Sequence, residues 1–216
     1  MSNIRILLVD DHAIVREGYK ALINGQPTLD VIAEASSGEE AYVLYQQLQP
    51  DLVLLDLSLP GQSGLATLVK IKQNNANARV LIFSMHQNSA FALKALKAGS
   101  RGYITKSSTP DELLKAINDV MHGKVALSSD IAHLLAVKQV VGDSSPTEKL
   151  TIREFEIFRM LVEGATKVQI AETLNISHKT VSNSHYIIKK KLDVQTDLEL
   201  FRVALDMNLI DQENAK

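Results

Sequence analysis

The fold of this chain is decided by the stretch Asp51-Leu52-Val53-Leu54-Leu55-Asp56-Leu57-Ser58-Leu59-Pro60-Gly61. Its centre, residues 53–55, is a short continuous apolar run, which is typical of a strand buried on both faces of a parallel sheet. Asp56 follows this run, and Pro60 and Gly61 then predict a turn. In open α/β sheets, ligands bind outside the carboxyl ends of the strands, so Asp56 lies where a functional group is expected. Taken alone, the pattern also fits an aspartate that only caps the following loop.

Three other short runs that resemble strands are followed by acidic, hydroxyl or amine side chains. They are residues 6–9, followed by Asp10 and Asp11; residues 80–83, followed by Ser84; and residues 102–105, followed by Lys106. Because parallel strands end at the same edge of a sheet, these groups are expected to converge with Asp56. Clustered carboxylates suit a hard divalent cation such as Mg²⁺, which prefers oxygen ligands. A carboxylate beside such a cation and an ammonium can accept a phosphoryl group, since both cations neutralise its charge.

Length and composition exclude several classes of protein. The 216 residues leave room for one large or two modest domains, and 45% hydrophobic and 22% charged residues are ordinary for a globular protein. The chain has no cysteine, which excludes disulfides, thiolate metal sites and thiol catalysis. We find no apolar stretch of membrane-spanning length and no signal-peptide pattern, so we expect a cytoplasmic protein without a membrane partner. A net charge of −2 gives no global sign of nucleic-acid binding.

The functional positions of the N-terminal half resemble a known family. The motifs are Asp10-Asp11, Asp56 with Pro60-Gly61, Ser84, and Ala98-Gly99-x-x-Gly102-Tyr103-x-x-Lys106. They are similar to those of the receiver domains of bacterial two-component response regulators. The resemblance implies that Asp56 accepts a phosphoryl group from a histidine of a sensor kinase. It also implies that Lys106 pairs with the phosphate, while Ser84 and Tyr103 form the conformational switch. The Mg²⁺ ligands that it implies are Asp10, Asp11, Asp56 and the backbone carbonyl of Ser58.

The order of predicted elements indicates two domains. Five strands alternating with five helices predict a doubly wound α/β fold with a five-stranded parallel sheet, like that of CheY. We assign residues 1–123 to this receiver domain. Residues 124–149 are predicted to connect the domains through an amphipathic helix over 128–141 and a linker over 142–147, which is rich in turn-forming residues. Residues 150–216 are predicted to form an all-α domain.

The C-terminal domain contains the pattern of a helix-turn-helix motif. A short helix beginning at Thr166 and a longer one over 178–192 are separated by the tight turn Asn175-Ile176-Ser177. In the longer helix, apolar residues at 181, 188 and 192 define one buried face, and four lysines at 179, 189, 190 and 191 precede the acid at 193. This local charge suits a phosphate backbone. The alternative is a solvated basic face, because residues 147–216 are close to neutral overall.

Further motifs resemble the LuxR-type DNA-binding domain. They are Leu150-Thr151-x-Arg153-Glu154-x-Glu156-Ile157, Ile170-Ala171-x-x-Leu174-x-Ile176-Ser177 and Lys179-Thr180-Val181. Joined to a receiver domain, they are typical of the NarL/FixJ family, and the C-terminal details are more similar to its GacA/UvrY branch. Two departures leave the operator open: residues 182–184 differ from the usual Lys-x-His, and Asp193 replaces the usual glycine. The resemblance implies that Ser182, Asn183 and Tyr186 reach into the major groove. The full set of expected DNA contacts is Lys179, Thr180, Ser182, Asn183, Tyr186, Lys189 and Lys190.

Together these features predict a phosphorylation-activated transcriptional regulator of a two-component system, and not an enzyme. Its expected partners are a sensor histidine kinase, promoter DNA and, on phosphorylation or DNA binding, a second copy of itself. The alternative is a phosphate-sink or protein-interaction regulator whose C-terminal domain does not read DNA. A phosphatase of the haloacid dehalogenase type would need a second aspartate where Ser58 stands. His12, His86 and His178 lie on different predicted elements without ligand spacing, so metal ligation by histidine is not expected.

Overall fold

The computed structural model describes residues 3–141, 146–207 and 209 of the 216-residue chain. The chain divides into two compact units, Met1–Ala136 and Val137–Lys216. The division falls inside the segment 124–149 that the sequence indicates as a connection. The predicted linker over 142–147 lies mostly outside the described residues, and its last two residues begin a 3-10 helix, Pro146–Lys149.

The first unit is built on a six-stranded sheet in the order β2-β1-β3-β4-β5-β6. All neighbouring strands are parallel. The chain begins at β1, adds β2 on one side and then crosses back to place β3 on the other side, so the winding direction reverses between β1 and β3. This is the predicted doubly wound arrangement. The strands are β1 (Ile4–Val9), β2 (Leu29–Ala35), β3 (Leu52–Leu55), β4 (Val80–Ser84), β5 (Gly102–Thr105) and β6 (Ala126–Leu127).

The sixth strand was not among the five that the sequence predicts. β6 has only two residues, which is too short to show a period, and it pairs with β5 through Gly102↔Ala126 and Tyr103↔Leu127. The pairing depends on Gly102, because a Cβ atom there would collide with the carbonyl oxygen of Ala126 and would lie 2.7 Å from Cδ1 of Leu81. The extra strand therefore extends the sheet at one edge and leaves the order of the predicted five unchanged.

Helices cover both faces of this sheet. α1 and α5 pack on one face, where Ile23 and Ile117 join Leu8, Leu54 and Phe83 in one buried cluster. On the opposite face, α2 packs against α3, and α3 against α4. Because both faces are covered, β3 and β4 are buried along their whole length, which explains their continuous apolar runs. The helices that cover the sheet are α1 (Ala13–Asn24), α2 (Gly38–Leu48), α3 (Gly64–Asn74), α4 (Ser89–Lys97) and α5 (Pro110–Met121), and the next helix, α6 (Ser129–Val141), includes the division between the two units.

The second unit contains α7 (Ile152–Val162), α8 (Lys167–Thr173), α9 (His178–Leu192) and α10 (Asp197–Asp206). α9 has the bounds predicted from the sequence, because the hydroxyl of Ser177 caps its first turn and Asp193 ends it in left-handed backbone, with φ of 56°. α8 and α9 form the helix-turn-helix, with Asn175 in left-handed backbone between them. α9 packs against both α7 and α8. Among the described residues, none of the helices has the length and apolar composition needed to cross a membrane.

Candidate functional site

The ends of β1 and β3 place Asp10 and Asp56 side by side. These strands are neighbours in the sheet, and the backbone N–H of Asp56 donates to the carbonyl of Val9 over 2.9 Å. The winding direction of the fold reverses between them, and ligands of open α/β sheets bind at such a switch point. Both aspartate residues are only 2% exposed. Two carboxylates in such positions require a positive charge nearby, since an unpaired buried charge is very costly.

Lys106 supplies that charge. Its Nζ atom lies 2.5 Å from Oδ2 of Asp56 and 2.6 Å from Oδ2 of Asp10, and its side chain is 6% exposed. Burial alone would lower the pKa of this lysine, but the charges of Asp56 and Asp10 and their hydrogen bonds raise its pKa overall. One ammonium thus bridges two carboxylates, and the sequence prediction that these three residues converge is confirmed by the described geometry.

The orientation of the Asp56 carboxylate is fixed on both sides. Its Oδ1 atom accepts hydrogen bonds from the backbone N–H groups of Leu57 (2.6 Å) and Ser58 (3.2 Å), while Oδ2 faces Lys106. The following loop folds back so tightly that a Cβ atom at Gly64 would collide with the carbonyl oxygen of Asp56. Gly64 is therefore required for the close approach of this loop to the start of α3.

An acidic corner lies next to this pair. Ligand atoms of Asp10, Asp11 and His12 all lie within 4.8 Å of one another. The sequence analysis did not group His12 with these acids, but its Nδ1 atom lies 2.8 Å from Oδ1 of Asp11 and its backbone N–H donates to Oδ1 of Asp10 over 2.9 Å. His12 can therefore orient both carboxylates. The carboxylate oxygens of Asp10, Asp11 and Asp56 form a donor set that fits Mg²⁺, which prefers oxygen ligands.

The two residues expected to form the switch lie on β4 and β5. Ser84 and Tyr103 are fully buried, and the backbone N–H of His86 lies 3.5 Å from Oγ of Ser84. The hydroxyl of Tyr103 donates to the carbonyl of His86 over 2.8 Å. Burial, reinforced by the negative charge of Asp56, raises the pKa of Tyr103 far above its usual value, so the hydroxyl keeps its proton. Tyr103 is thus turned inward and holds the loop after β4.

His86 also connects this loop with the one that follows Asp56. Its Nε2 atom lies 3.0 Å from Oγ of Ser58, and its ring stacks on Phe91 with centroids 4.1 Å apart. The sequence drew attention to His86 only as a possible metal ligand, and this connecting role was missed. No local sequence pattern could have predicted this contact, because Ser58 and His86 are 28 positions apart.

The residues predicted to contact DNA lie together along the outer side of α9. Its inner side is formed by four buried residues, Val181, His185, Ile188 and Leu192. On the outer side, Lys179, Thr180, Asn183, Tyr186 and Lys190 are exposed, and Ser182 and Lys189 are partly buried. The middle of this side opens on a groove of about 510 Å³, whose lining includes Ser182, Tyr186, Lys189 and Lys190. The structure therefore places four of the seven predicted residues around one groove, and the other three are exposed on the same helix.

The four lysines of α9 are not equivalent. Lys191 points back to α7, where its Nζ atom lies 2.6 and 2.8 Å from the two carboxylate oxygens of Glu154. Burial would raise the pKa of Glu154, but the hydrogen bonds from Lys191 and Thr151 lower it overall. Lys189 lies 2.6 Å from Oδ1 of Asp197. The local positive charge that the sequence suggests is therefore partly neutralised by acids from neighbouring helices.

Comparison with known proteins gives one family for each unit. The family of response regulator receiver domains matches residues 6–118. The family of bacterial regulatory proteins of the luxR family matches residues 148–204. The response regulator UvrY of Escherichia coli K12 is 34% identical over 212 residues, which is 97% of this chain and 97% of that protein.

Solved structures match either part of the chain or nearly all of it. A LuxR-family two-component response regulator from Aurantimonas sp. SI85-9A1 is 52% identical, with a TM-score of 0.63, over 64% of this chain and 99% of its own. RcsB of Salmonella enterica serovar Typhimurium, bound to the promoter P1flhDC in the presence of the phosphomimetic BeF3−, is 25% identical with a TM-score of 0.73. That match covers 94% of this chain and 98% of RcsB.

Proposed function

The chain belongs to the NarL/FixJ family of two-component response regulators, and we propose that phosphoryl transfer to Asp56 controls the binding of α9 to promoter DNA. As a member, it is a DNA-binding transcriptional regulator with a receiver domain and a LuxR-type domain. The observation that supports Asp56 as the acceptor is the bridging position of Lys106 between Asp56 and Asp10, at the switch point of the sheet. Such an arrangement offers an oriented carboxylate beside a fixed positive charge.

The phosphoryl group comes from a phosphohistidine of a sensor kinase. The phosphorus–nitrogen bond breaks as an oxygen of Asp56 forms a bond to phosphorus, and the kinase imidazole is the leaving group. Asp10, Asp11, Asp56 and the backbone carbonyl of Ser58 would hold Mg²⁺, which neutralises phosphoryl charge when it is bound. Lys106 is already within 2.5 Å of the carboxylate and can follow the new oxygens, while the N–H groups of Leu57 and Ser58 hold Oδ1 in place.

The new charge then acts on the loop after β4. An aspartyl phosphate carries a charge of roughly −1.5 to −2, where the carboxylate carried −1, and it presents three acceptor oxygens, by analogy with other phospho-residues. Ser84 can donate its hydroxyl to one of them, which draws the loop containing His86 towards Asp56. Tyr103 is bound to the carbonyl of that same residue in its inward position. Phosphorylation would stabilise this inward state relative to an outward one, as a shift of a two-state equilibrium.

The output is binding of promoter DNA by the second unit. Recognition helices present their N-terminal turns to the base edges, which assigns base contacts to Ser182, Asn183 and Tyr186. Lys179, Thr180, Lys189 and Lys190 are assigned to phosphates, which position the helix without reading sequence. The solved structure of RcsB bound to a promoter supports this use of the domain. We further propose that the protein binds as a homodimer, that it acts in the cytoplasm, where its promoters lie, and that it is a regulator without enzymatic turnover.

One experiment tests the acceptor and another tests the output. With acetyl phosphate and Mg²⁺, intact-mass spectrometry should show one phosphoryl group on the native chain and none on Asp56→Asn. Asp51→Asn is the matched control, since Asp51 precedes the same strand and binds the backbone of Arg5. Equal labelling of native protein and Asp56→Asn would rule out Asp56. If the labelled protein showed no preference for promoter over scrambled DNA, the phosphate-sink alternative would be favoured instead.

A further inference from the structure

A carboxylate lies within the basic groove of the DNA-binding unit. The groove is lined by cationic Lys167, Lys189 and Lys190 and by two acids, Asp193 and Asp197, of which Asp197 is the first residue of α10. The Asp197 side chain is 70% exposed, yet its Oδ1 atom lies 2.6 Å from Nζ of Lys189. Oδ1 also lies 2.9 Å from Nε2 of His185. An exposed carboxylate is thus paired with Lys189, a lysine that is expected to contact DNA.

The position of Asp197 is fixed by its own helix. Thr196 caps α10 in a capping box with Glu199, whose carboxylate accepts hydrogen bonds from the backbone N–H groups of Gln195 and Thr196. These bonds hold the first turn of α10, and therefore the backbone of Asp197, beside α9. The hydrogen bond from Lys189 lowers the pKa of Asp197, so the carboxylate is ionised at neutral pH. Its contact with Lys189 is therefore built into the fold.

The contact presents Lys189 with the kind of ligand that DNA would offer. A carboxylate oxygen and a phosphate oxygen both accept charge-assisted hydrogen bonds from an ammonium. We propose that Asp197 suppresses non-specific DNA binding, because its carboxylate holds Lys189 away from the backbone phosphates of random-sequence DNA. This inference rests on the proposed DNA-binding function and adds a residue that limits it.

The effect should be largest for DNA of random sequence. Non-specific binding depends almost entirely on phosphate contacts and the counterions that they release. Holding Lys189 removes one such contact, and the charge of Asp197 also repels the backbone. A cognate complex has base contacts as well, and these hold α9 in the groove so that a backbone phosphate can displace Asp197 from Lys189.

The test compares two neutralised acids of the same helix. Asp197→Asn removes the contact with Lys189, and Asp206→Asn removes an equal charge from an exposed position at the other end of α10. Binding of full-length protein to a short random-sequence duplex is followed by fluorescence anisotropy between roughly 50 and 200 mM salt. Asp197→Asn should bind roughly threefold to fivefold more tightly than Asp206→Asn, with a salt slope steeper by about 0.9 for the one added phosphate contact.

A Lys189→Ala background shows whether the tighter DNA binding of Asp197→Asn depends on Lys189. In that background, Asp197→Asn and Asp206→Asn should bind the random duplex equally. The proposal is overturned if the two acids behave alike in the native background, or if the advantage of Asp197→Asn persists without Lys189. Circular dichroism melting confirms folding, and Asp197→Ser serves as a second variant should Asp197→Asn unfold. If the native protein binds neither random DNA nor a duplex selected from a random pool, the DNA-binding function itself fails and this inference fails with it.

Discussion

Replacing Lys106 by methionine should strongly destabilise the first unit when Mg²⁺ is absent. The side chains of Lys106, Asp10 and Asp56 are all at most 6% exposed, so methionine would leave two buried carboxylates facing each other without a counter-charge. Removing one partner of a buried ion pair typically costs about 3–5 kcal/mol. With a urea dependence of about 2 kcal/mol per molar, the unfolding midpoint should fall by about 1.5–2.5 M.

Urea unfolding of the full chain, followed by circular dichroism, measures this change. The transition of the first unit is identified as the one that moves when Mg²⁺ is added. Lys124→Met is the matched control, because Lys124 also pairs with an aspartate, Asp119 at 3.2 Å, but its side chain is 70% exposed. Loss of such a surface pair should cost no more than about 1 kcal/mol. Mg²⁺ should stabilise Lys106→Met more than the native chain, since it replaces the missing charge. Equal midpoints for Lys106→Met and Lys124→Met would refute this reasoning.

Three further predictions concern both units. Ala replacement of both Asp10 and Asp11 should abolish acetyl phosphate labelling without unfolding the chain, and normal labelling in an intact-mass measurement would refute their metal role. Glu154→Gln should lower the free energy of unfolding by about 1 kcal/mol at pH 7. Burial opposes ionisation of Glu154, but the hydrogen bond from Lys191 lowers its pKa overall, so this stability is present above the unfolded value of 4.5 and is lost as the pH falls through the folded value. Urea unfolding should therefore show a smaller stability difference between the native chain and Glu154→Gln at acidic pH than at neutral pH. An equal difference at both pH values would contradict this. Asp193→Gly should raise the stability of the second unit by up to about 1 kcal/mol, because Asp193 has a φ of 56°, and an unchanged melting temperature would contradict it.

The sequence predicts the positions of the residues at the proposed acceptor site because its signals are local. A parallel strand that is covered on both faces must be apolar along its length, and the residue after it must lie at the edge of the sheet. Asp56 follows such a run directly, and so does Asp10, which is why the amino-acid sequence alone places both at the same edge. The bounds of α9 were predictable for a similar reason, since Ser177 is a strong N-cap and the turn before it is short.

The partners of individual side chains could not be predicted in the same way. Lys191 and Glu154 are 37 positions apart, and their contact depends on how α9 crosses α7. Likewise, Ser58 and His86 meet only because β3 and β4 are neighbours in the sheet. No local period in the sequence encodes such contacts. The two-residue strand β6 was missed because a strand of that length has no pattern of its own.

These long-range contacts change how the DNA-binding surface has to be understood. Counting lysines in α9 suggests four phosphate contacts, but Lys191 is bound to Glu154 and Lys189 to Asp197. While Asp197 holds Lys189, three cations remain for phosphates, Lys167, Lys179 and Lys190, so one copy would release few counterions, with a salt slope of about −2.7. Two copies on adjacent half-sites would double that slope to about −5.4 and multiply the base contacts as well. A surface with so few available cations binds DNA weakly as a single copy. Two copies bound side by side have a much higher affinity for DNA. If the protein binds as the proposed homodimer, its control needs no change in α9 itself, only a change in how often two copies meet.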